Sequence, residues 1–530
     1  MPRQITLVLT PRQAADPSFY TPLAIRRAGL TERETALCRV VRRSIDARSR
    51  QPKVNLTVEI FEDHEPAPDP VHFDYPQVEG RTPVAVVGSG PAGLFAALRL
   101  IEQGLRPVVL ERGRDVSARK RDVARINRGG EVDPDSNYAF GEGGAGTFSD
   151  GKLFTRSKKR GDYRRALELF VFHGADPEIL YDAHPHIGTD RLPRIISRMR
   201  QTIEAAGGTI LFGTRMTGLL LRDGKTAGVR ALRTDPASGA VTEEKVEAAA
   251  VILATGHSAR DIYETLHAAD IPLEAKPFAM GVRVEHPQAL IDSIQYHTPE
   301  RGEWLPAAAY SLVTQVAGRG VYSFCMCPGG FIVPALTAPG ESVVNGMSPS
   351  GRNSVFANSG IVTEIRLSDF AHLVPEHGPL AGLRFQQAFE REARLHGDGG
   401  QVAPGQRLAD FTARRSSRTL PRTSYVPGIT PSEFGRWMPG FIGEALRGGF
   451  LDFGRKMRGY LTNEAVIVGV ESRTSSPVRI PRDPSTGMHP AVPGLFPCGE
   501  GAGYAGGILS AALDGERTAE QTAAYLGKRR

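Results

Sequence analysis

The chain has 530 residues, 40% of them hydrophobic and 23% charged, enough for two or three domains with substantial cores. This composition excludes a fibrous or disordered protein, and the formal net charge of +7 permits a polyanionic partner without requiring one. Four cysteines, Cys38, Cys325, Cys327 and Cys498, are too few for a disulfide-stapled secreted fold. The first apolar run is too short for a signal peptide, and no stretch approaches the roughly eighteen apolar residues of a membrane span. A cytoplasmic protein without membrane association is expected.

Residues 1–74 read as a small α+β module. Ile5 to Leu9 predict a short strand, the Arg-rich stretch 31–47 a helix carrying Cys38, and Val54, Leu56, Val58 and Ile60, alternating with polar residues, a half-buried strand. The Pro- and acid-rich stretch 62–70 reads as a linker.

Residues 82–260 form the first part of the expected nucleotide-binding domain. Val84, Ala85, Val86 and Val87 are a continuous apolar run, as in a parallel strand buried on both faces. Gly88, Ser89, Gly90, Pro91, Ala92 and Gly93 follow, then a helix with Leu94, Ala97, Leu98 and Ile101 on its apolar face and Gly104 at its end. Val108 to Leu110 make a second strand closed by Glu111 and Arg112. In such a β-α-β unit the first glycine permits the tight turn, the second lets the backbone approach a pyrophosphate, and the third allows close helix packing. The helix N-terminus attracts the phosphates, and the acid accepts hydrogen bonds from a ribose diol. An acid there favours a free 2′-hydroxyl, so FAD and NAD both fit.

Three later stretches bear on that choice. Residues 137–153 pack five glycines among small hydroxylated residues, a composition that lets backbone approach a flat ring or a diphosphate; Gly143, Gly144, Ala145, Gly146 and Thr147 are the expected contacts. A β-meander from 209 to 246 leads to an apolar strand, Val251 to Leu253, that ends in Ala254, Thr255 and Gly256. Near the C-terminus, residues 494–498 lead into Gly499 and Glu500, and a second Gly-rich turn through Gly506, Gly507 and Ile508 opens a helix over 509–526.

Together these stretches resemble the glutathione-reductase-like flavoprotein superfamily, in which an Ala-Thr-Gly segment closes the FAD domain and a C-terminal Gly-Asp segment contacts the flavin. Glu500 stands here where Asp is usual. Residues 44–48, the loop 141–153, and the segments 281–287, 324–330 and 471–480 further resemble a bacterial family of FAD-dependent dehydrogenases without a settled substrate. The resemblance implies an α/β fold: a doubly wound Rossmann-type FAD-binding domain split between 82–260 and 462–530, an inserted mixed α/β substrate domain over 261–461, and the N-terminal module. It implies a FAD-dependent oxidoreductase in which hydride passes between a small-molecule substrate, or NAD(P)H docking transiently, and flavin N5. An RNA-modifying flavoprotein, suggested by the basic clusters 39–50, 156–165 and 414–422, and a non-catalytic flavin scaffold are the alternatives. Nucleic acid is the less expected partner.

No second strand-GxGxxG-helix unit is found between Ser258 and Leu461; Gly318 and Gly320 precede a β-type run instead. Cys325 and Cys327, two apart, are either a redox pair that closes a small strained ring or buried small hydrophobes beside the Pro328-Gly329-Gly330 turn. His257, next to the Ala-Thr-Gly turn, is the best placed acid/base histidine, with His184 and His186 as others. Arg283, Glu285 and His286 are expected to share a strand face that either lines the substrate cavity or is solvated. Lys152, Arg352 and Arg473 are candidate anchors for an anionic substrate group, and no Cys or His has metal-ligand spacing.

Overall fold

A computed structural model describes residues 2–62, 71–154 and 161–527. Most of the expected linker and part of the basic cluster 156–165 lie outside them.

The N-terminal module is a three-stranded antiparallel sheet with Lys53–Glu62 between Arg3–Leu9 and Thr35–Asp46, covered by the helix Pro17–Arg27. The expected helix over 31–47 is therefore a strand, and Cys38 sits on it. Arginine favours helix weakly, but the alternating apolar face of Lys53–Glu62 needs a neighbour on each side, and tertiary pairing overrides propensity. Arg39 lies directly opposite Glu59 and donates to it at 2.6 Å, the kind of cross-strand pair that stabilises a sheet. Arg43 ties the module to the next unit through Asp182, at 2.6 and 2.9 Å, and Glu178, at 2.7 Å.

The second unit is built on a five-stranded parallel sheet: β1 (Pro83–Val87), β2 (Arg106–Leu110), β3 (Thr209–Leu211), β4 (Val251–Leu253) and β5 (Leu495–Pro497), in spatial order β5-β4-β1-β2-β3. Helix α1 (Pro91–Glu102) follows β1, and α2 (Ile508–Tyr525) follows β5. Val84, Val86, Leu94, Leu98, Ile101, Phe496 and Leu509 share one core on this face of the sheet. The other face is covered by the helix Arg260–Ala268 and by an antiparallel meander, Thr214–Arg222, Lys225–Thr234 and Val241–Glu247. This is the α/β fold with a split nucleotide-binding unit that the sequence predicts.

A seven-stranded sheet runs in the order Val313–Val316, Arg319–Cys327, Phe356–Ile365, Phe278–Pro287, Val466–Glu471, Ala403–Arg407, Ile429–Pro431. Every pair is antiparallel except the last. Val466–Glu471 pairs with Phe278–Pro287, so this sheet extends past 461, the expected end of the insertion. Among the described residues no helix is long and apolar enough to cross a membrane.

Candidate cofactor site

The glycines between β1 and α1 divide their work as the spacing predicts. Gly88 has φ +104°, and a Cβ there would lie 2.5 Å from the Ala254 carbonyl oxygen. A Cβ on Gly93 would lie 1.9 Å from the Gly88 carbonyl oxygen, so helix and turn touch only because no side chain intervenes. Gly90 differs: its Cβ would meet nothing nearer than the Gly144 Cα, at 3.8 Å. The open space over Gly90 is the approach a pyrophosphate needs.

The loop after Asn137 closes over this turn. Gly143, at φ +79°, donates its N–H to the Ser89 carbonyl at 3.0 Å, and Gly144 faces Gly90 backbone to backbone. A Cβ on Gly146 would lie 3.2 Å from Pro91 Cγ and 3.4 Å from Ile508 Cγ1, so the loop reaches the first residues of both helices. Thr147 donates its hydroxyl to the Glu142 carbonyl at 2.6 Å, and Ala145 lies in the single helical turn between.

Arg119 holds the loop in place, a role the sequence reading missed. Its buried guanidinium donates to the carbonyls of Asn137, Gly141, Glu142 and Tyr138 at 2.8 to 3.2 Å. Burial pushes its pKa down to about 10, and the four carbonyls take four of its five N–H donors. The helical period of Val116–Asn127 offers a signal, since Arg119 falls on the face of Val116, Val123 and Ile126 while Arg121 and Arg125 are exposed.

Helices α1 and α2 pack together, the start of α1 meeting α2 two turns in. A Cβ on Gly515 would sit 2.2 Å from the Ala92 carbonyl oxygen, and one on Gly499 would sit 3.0 Å from Ala92 Cβ. Both N-caps are glycines, Gly90 and Gly507, without a side-chain cap, so two helix N-termini present unpaired N–H groups and positive dipole ends to the same space. Cβ atoms on Gly256, Gly506 and Gly507 would also enter open space.

Glu111 reaches the turn but is already engaged. It accepts from Ser89 N (3.0 Å), Ser89 Oγ (2.6 Å), Gly113 N (2.9 Å) and Gly141 N (2.9 Å), which fills its four lone-pair positions. The expected ribose contact requires a sugar hydroxyl to take the place of the Ser89 hydroxyl. Arg112 is bound to Asp135 and Asp261, both at 2.9 Å, and lies over the Phe140 ring, so it holds the strand end and is not a free ligand.

His257 follows Thr255 and Gly256 at the end of β4. Its Nδ1 faces Glu500 Oε2 at 3.1 Å and its Nε2 faces the Arg473 carbonyl at 2.9 Å. Glu500 also accepts the N–H of Gly507, the N-cap of α2, and is held below the ordinary carboxylate range chiefly by the His257 hydrogen bond, against the opposing effect of burial. Asp514 accepts the Gly499 N–H at 2.8 Å. Glu500 and His257 thus clamp the start of α2.

Arg283, Glu285 and His286 on the second sheet are all buried and hydrogen-bonded within the protein. On Phe278–Pro287 the two-residue period puts Arg283 and Glu285 on one face and His286 on the other, correcting the expectation that all three share a face. Neither face is solvated. Arg283 is fully buried, donating to Glu471 (2.6 Å), Asn358 (2.9 Å), Asn345 (3.0 Å) and the Cys325 carbonyl (2.7 Å). His286 is fully buried, with Nε2 2.9 Å from the Tyr460 carbonyl, and desolvation pushes its imidazole down to about 4.

The three expected anchors are also paired. Arg473 lies in a buried network with Glu341, Glu390 and Thr337, which also takes in Arg260. Arg352 donates to Asp150 at 3.0 Å, and Lys152 donates to the Met326 carbonyl. His186 is held by the Ser350 carbonyl at 3.1 Å, and the His184 ring lies tilted against Phe154 with ring centroids 5.2 Å apart. Cys325 is exposed, Cys327 and Cys498 are buried, and all are free thiols. No group of three or more His, Cys, Asp or Glu suited to a metal ion occurs among the described residues. A cavity of about 970 Å³ lies elsewhere, between Asp46, Arg48 and Asn55 of the N-terminal module and His297, Lys456 and Arg458.

Two uncapped helix N-termini, a glycine turn open only at its second glycine, and a glycine loop folded over it suit a dinucleotide, and the comparisons give its kind. Residues 81–128 match an FAD binding domain, residues 277–474 match a family described as FAD-dependent protein, C-terminal domain-like, and residues 1–61 match a domain of unknown function. The chain is an FAD-binding protein. It belongs to one family with an uncharacterized protein of Clostridium beijerinckii, 38% identical over 517 residues that cover 93% of this chain and 94% of that one. Among solved structures, a geranylgeranyl bacteriochlorophyll reductase-like protein of Thermoplasma acidophilum is 13% identical, with a TM-score of 0.37 over 84% of this chain and 79% of that one. The myxobacterial chondrochloren halogenase CndH is 12% identical, with a TM-score of 0.35 over 85% and 76%. Neither likeness bears on any residue of the site.

Proposed function

We propose that this chain is an FAD-dependent oxidoreductase, transferring hydride between the flavin and a small-molecule substrate or a transiently docked nicotinamide. The observation that carries the reading is the convergence of the uncapped starts of α1 and α2 on the open space above Gly90, Gly256 and Gly507, within a family matched by FAD-binding models.

FAD supplies the two-electron chemistry when bound. The chain's residues supply its placement. The N–H groups at Ala92 and Gly93 and at the start of α2 would meet the phosphates, Glu111 the ribose, and the loop 143–147 the adjoining part of the cofactor. Gly499, Glu500 and Thr255 would flank the remainder, with His257 holding Glu500. The second sheet is almost wholly antiparallel, unlike a parallel dinucleotide-binding sheet, which favours delivery of hydride by the substrate or by a nicotinamide that docks and leaves.

The test is the visible spectrum of the purified chain and its anaerobic bleaching by metabolites and by NADH and NADPH. A yellow protein bleached by one of them is expected. A colourless chain that stays so after incubation with FAD would overturn the reading.

A further inference from the structure

The cysteines at the end of the strand Arg319–Cys327 combine features that a packing role does not require. Residues two apart on a regular strand are separated by about 6.6 Å, at the outer limit of what a disulfide spans. Here the strand is not regular: its pairing with Phe356–Ile365 shifts between Phe324 and Cys327, and Cys325 adopts φ +48° in the left-handed region. The Cys327 thiol donates to the Cys325 carbonyl oxygen at 3.3 Å across this irregular turn of the strand. One residue of the pair is exposed and the other is 1% exposed, so the two differ in access.

The segment is held from both sides by cations. Lys152, at the end of the glycine loop that closes over the nucleotide turn, donates to the Met326 carbonyl, and Arg283 donates to the Cys325 carbonyl at 2.7 Å. Desolvation pushes the buried Cys327 thiol up, while Lys152 and Arg283 act on it in the opposite direction. The two cations favour the thiolate as either cysteine reacts.

We propose that Cys325 and Cys327 are a reversible thiol-disulfide exchange site for low-molecular-weight disulfides, with Cys325 the entry thiol and Cys327 the resolving one. The Cys325 sulfur attacks one sulfur of an external disulfide RSSR, forming a Cys325–SR bond and releasing RSH with the proton from Cys325. The Cys327 sulfur then attacks Cys325 Sγ, forming the Cys325–Cys327 bond and releasing the second RSH with the proton from Cys327. The two protein thiols are oxidised and RSSR is reduced to two RSH; a dithiol reverses the sequence. The site stands on the chain's own side chains and is independent of the flavin chemistry proposed above.

The test equilibrates the full chain, with and without FAD, in glutathione buffers of rising disulfide content, then blocks remaining thiols with a maleimide and maps them by mass spectrometry. Cys325 and Cys327 are expected to lose their thiols together as one internal disulfide, while Cys498 stays reduced. Cys327→Ala is expected to accumulate the Cys325-glutathione mixed disulfide, and Lys152→Met to slow alkylation of Cys325 several-fold. The wild-type measurement decides even where a variant misfolds. Both thiols persisting in fully oxidised buffer, or a stable mixed disulfide at Cys325 in the wild-type chain, overturns the proposal. Because the result is read on flavin-free protein, failure of the FAD reading leaves it unaffected.

Discussion

Gly90 and Gly93 are three residues apart, and the structure assigns them opposite sensitivities. Gly90 has φ −70° and ψ −177°, ordinary for any residue, and an Ala Cβ there would meet only the Gly144 Cα at 3.8 Å. Gly90→Ala is therefore expected to change the stability of the flavin-free chain by less than about 0.5 kcal/mol. The same methyl stands where the pyrophosphate must approach. Loss of two hydrogen bonds from helix N–H groups to a charged phosphate, at about 1.5–3 kcal/mol each, weakens FAD binding by roughly a hundredfold to ten-thousandfold. Gly93→Ala instead puts its Cβ 1.9 Å from the Gly88 carbonyl oxygen, with Val86 Cγ1 at 3.4 Å, so helix and turn must separate. Overpacking of this kind costs about 1–3 kcal/mol or more, and the flavin-free chain loses stability. Urea unfolding of flavin-free protein and FAD titration by flavin fluorescence measure the two quantities separately. Unchanged flavin affinity in Gly90→Ala, or equal destabilisation by both variants, would refute the assignment.

Three further outcomes are expected. His286, neutral and buried with its pKa near 4 against an unfolded value of about 6.5, contributes stability that is present above pH 6.5 and lost as pH falls through 4. The loss reaches about 3 kcal/mol, and His286→Gln should flatten that part of the stability-pH curve in urea unfolding at pH 7 and pH 4.5. Arg283→Met leaves Glu471 buried without its cation and should cost about 3–5 kcal/mol, read as a lowered denaturation midpoint. Glu111→Gln gives four N–H and O–H donors a side chain with a single acceptor oxygen, and should cost about 1–3 kcal/mol while loosening the flavin.

The nucleotide turn was legible because its determinants are local. A buried apolar run, three glycines at fixed offsets and an apolar helix face are set by backbone sterics within about ten residues, and the structure places Gly88, Gly90 and Gly93 as that spacing requires. The return of the chain at Gly499 and Gly507 was legible for the same reason. The strand Thr35–Asp46 was not, because its arginines favour helix in isolation and are recruited to a sheet only by Glu59 and the neighbouring strand.

What tertiary structure alone decided is which charged side chains are free. By residue type Arg119, Arg283, Arg352 and Arg473 look alike, and the last three read as candidates for substrate contact or anchoring. Folding sets Arg119 among four loop carbonyls, Arg283 against Glu471, Arg352 against Asp150, and Arg473 between Glu341 and Glu390, partners 18 to 202 residues distant in sequence. An ionised group leaves water only against a partner that satisfies it, and the identity of so distant a partner cannot be read from the local pattern of the chain. The sequence by itself determined the β-α-β unit and its glycine turn, within the residues that match an FAD binding domain. The fold decided that Arg119 and Glu111 are bound up in holding the loop and turn, and that Cys325, alone of the cysteine pair, faces outward.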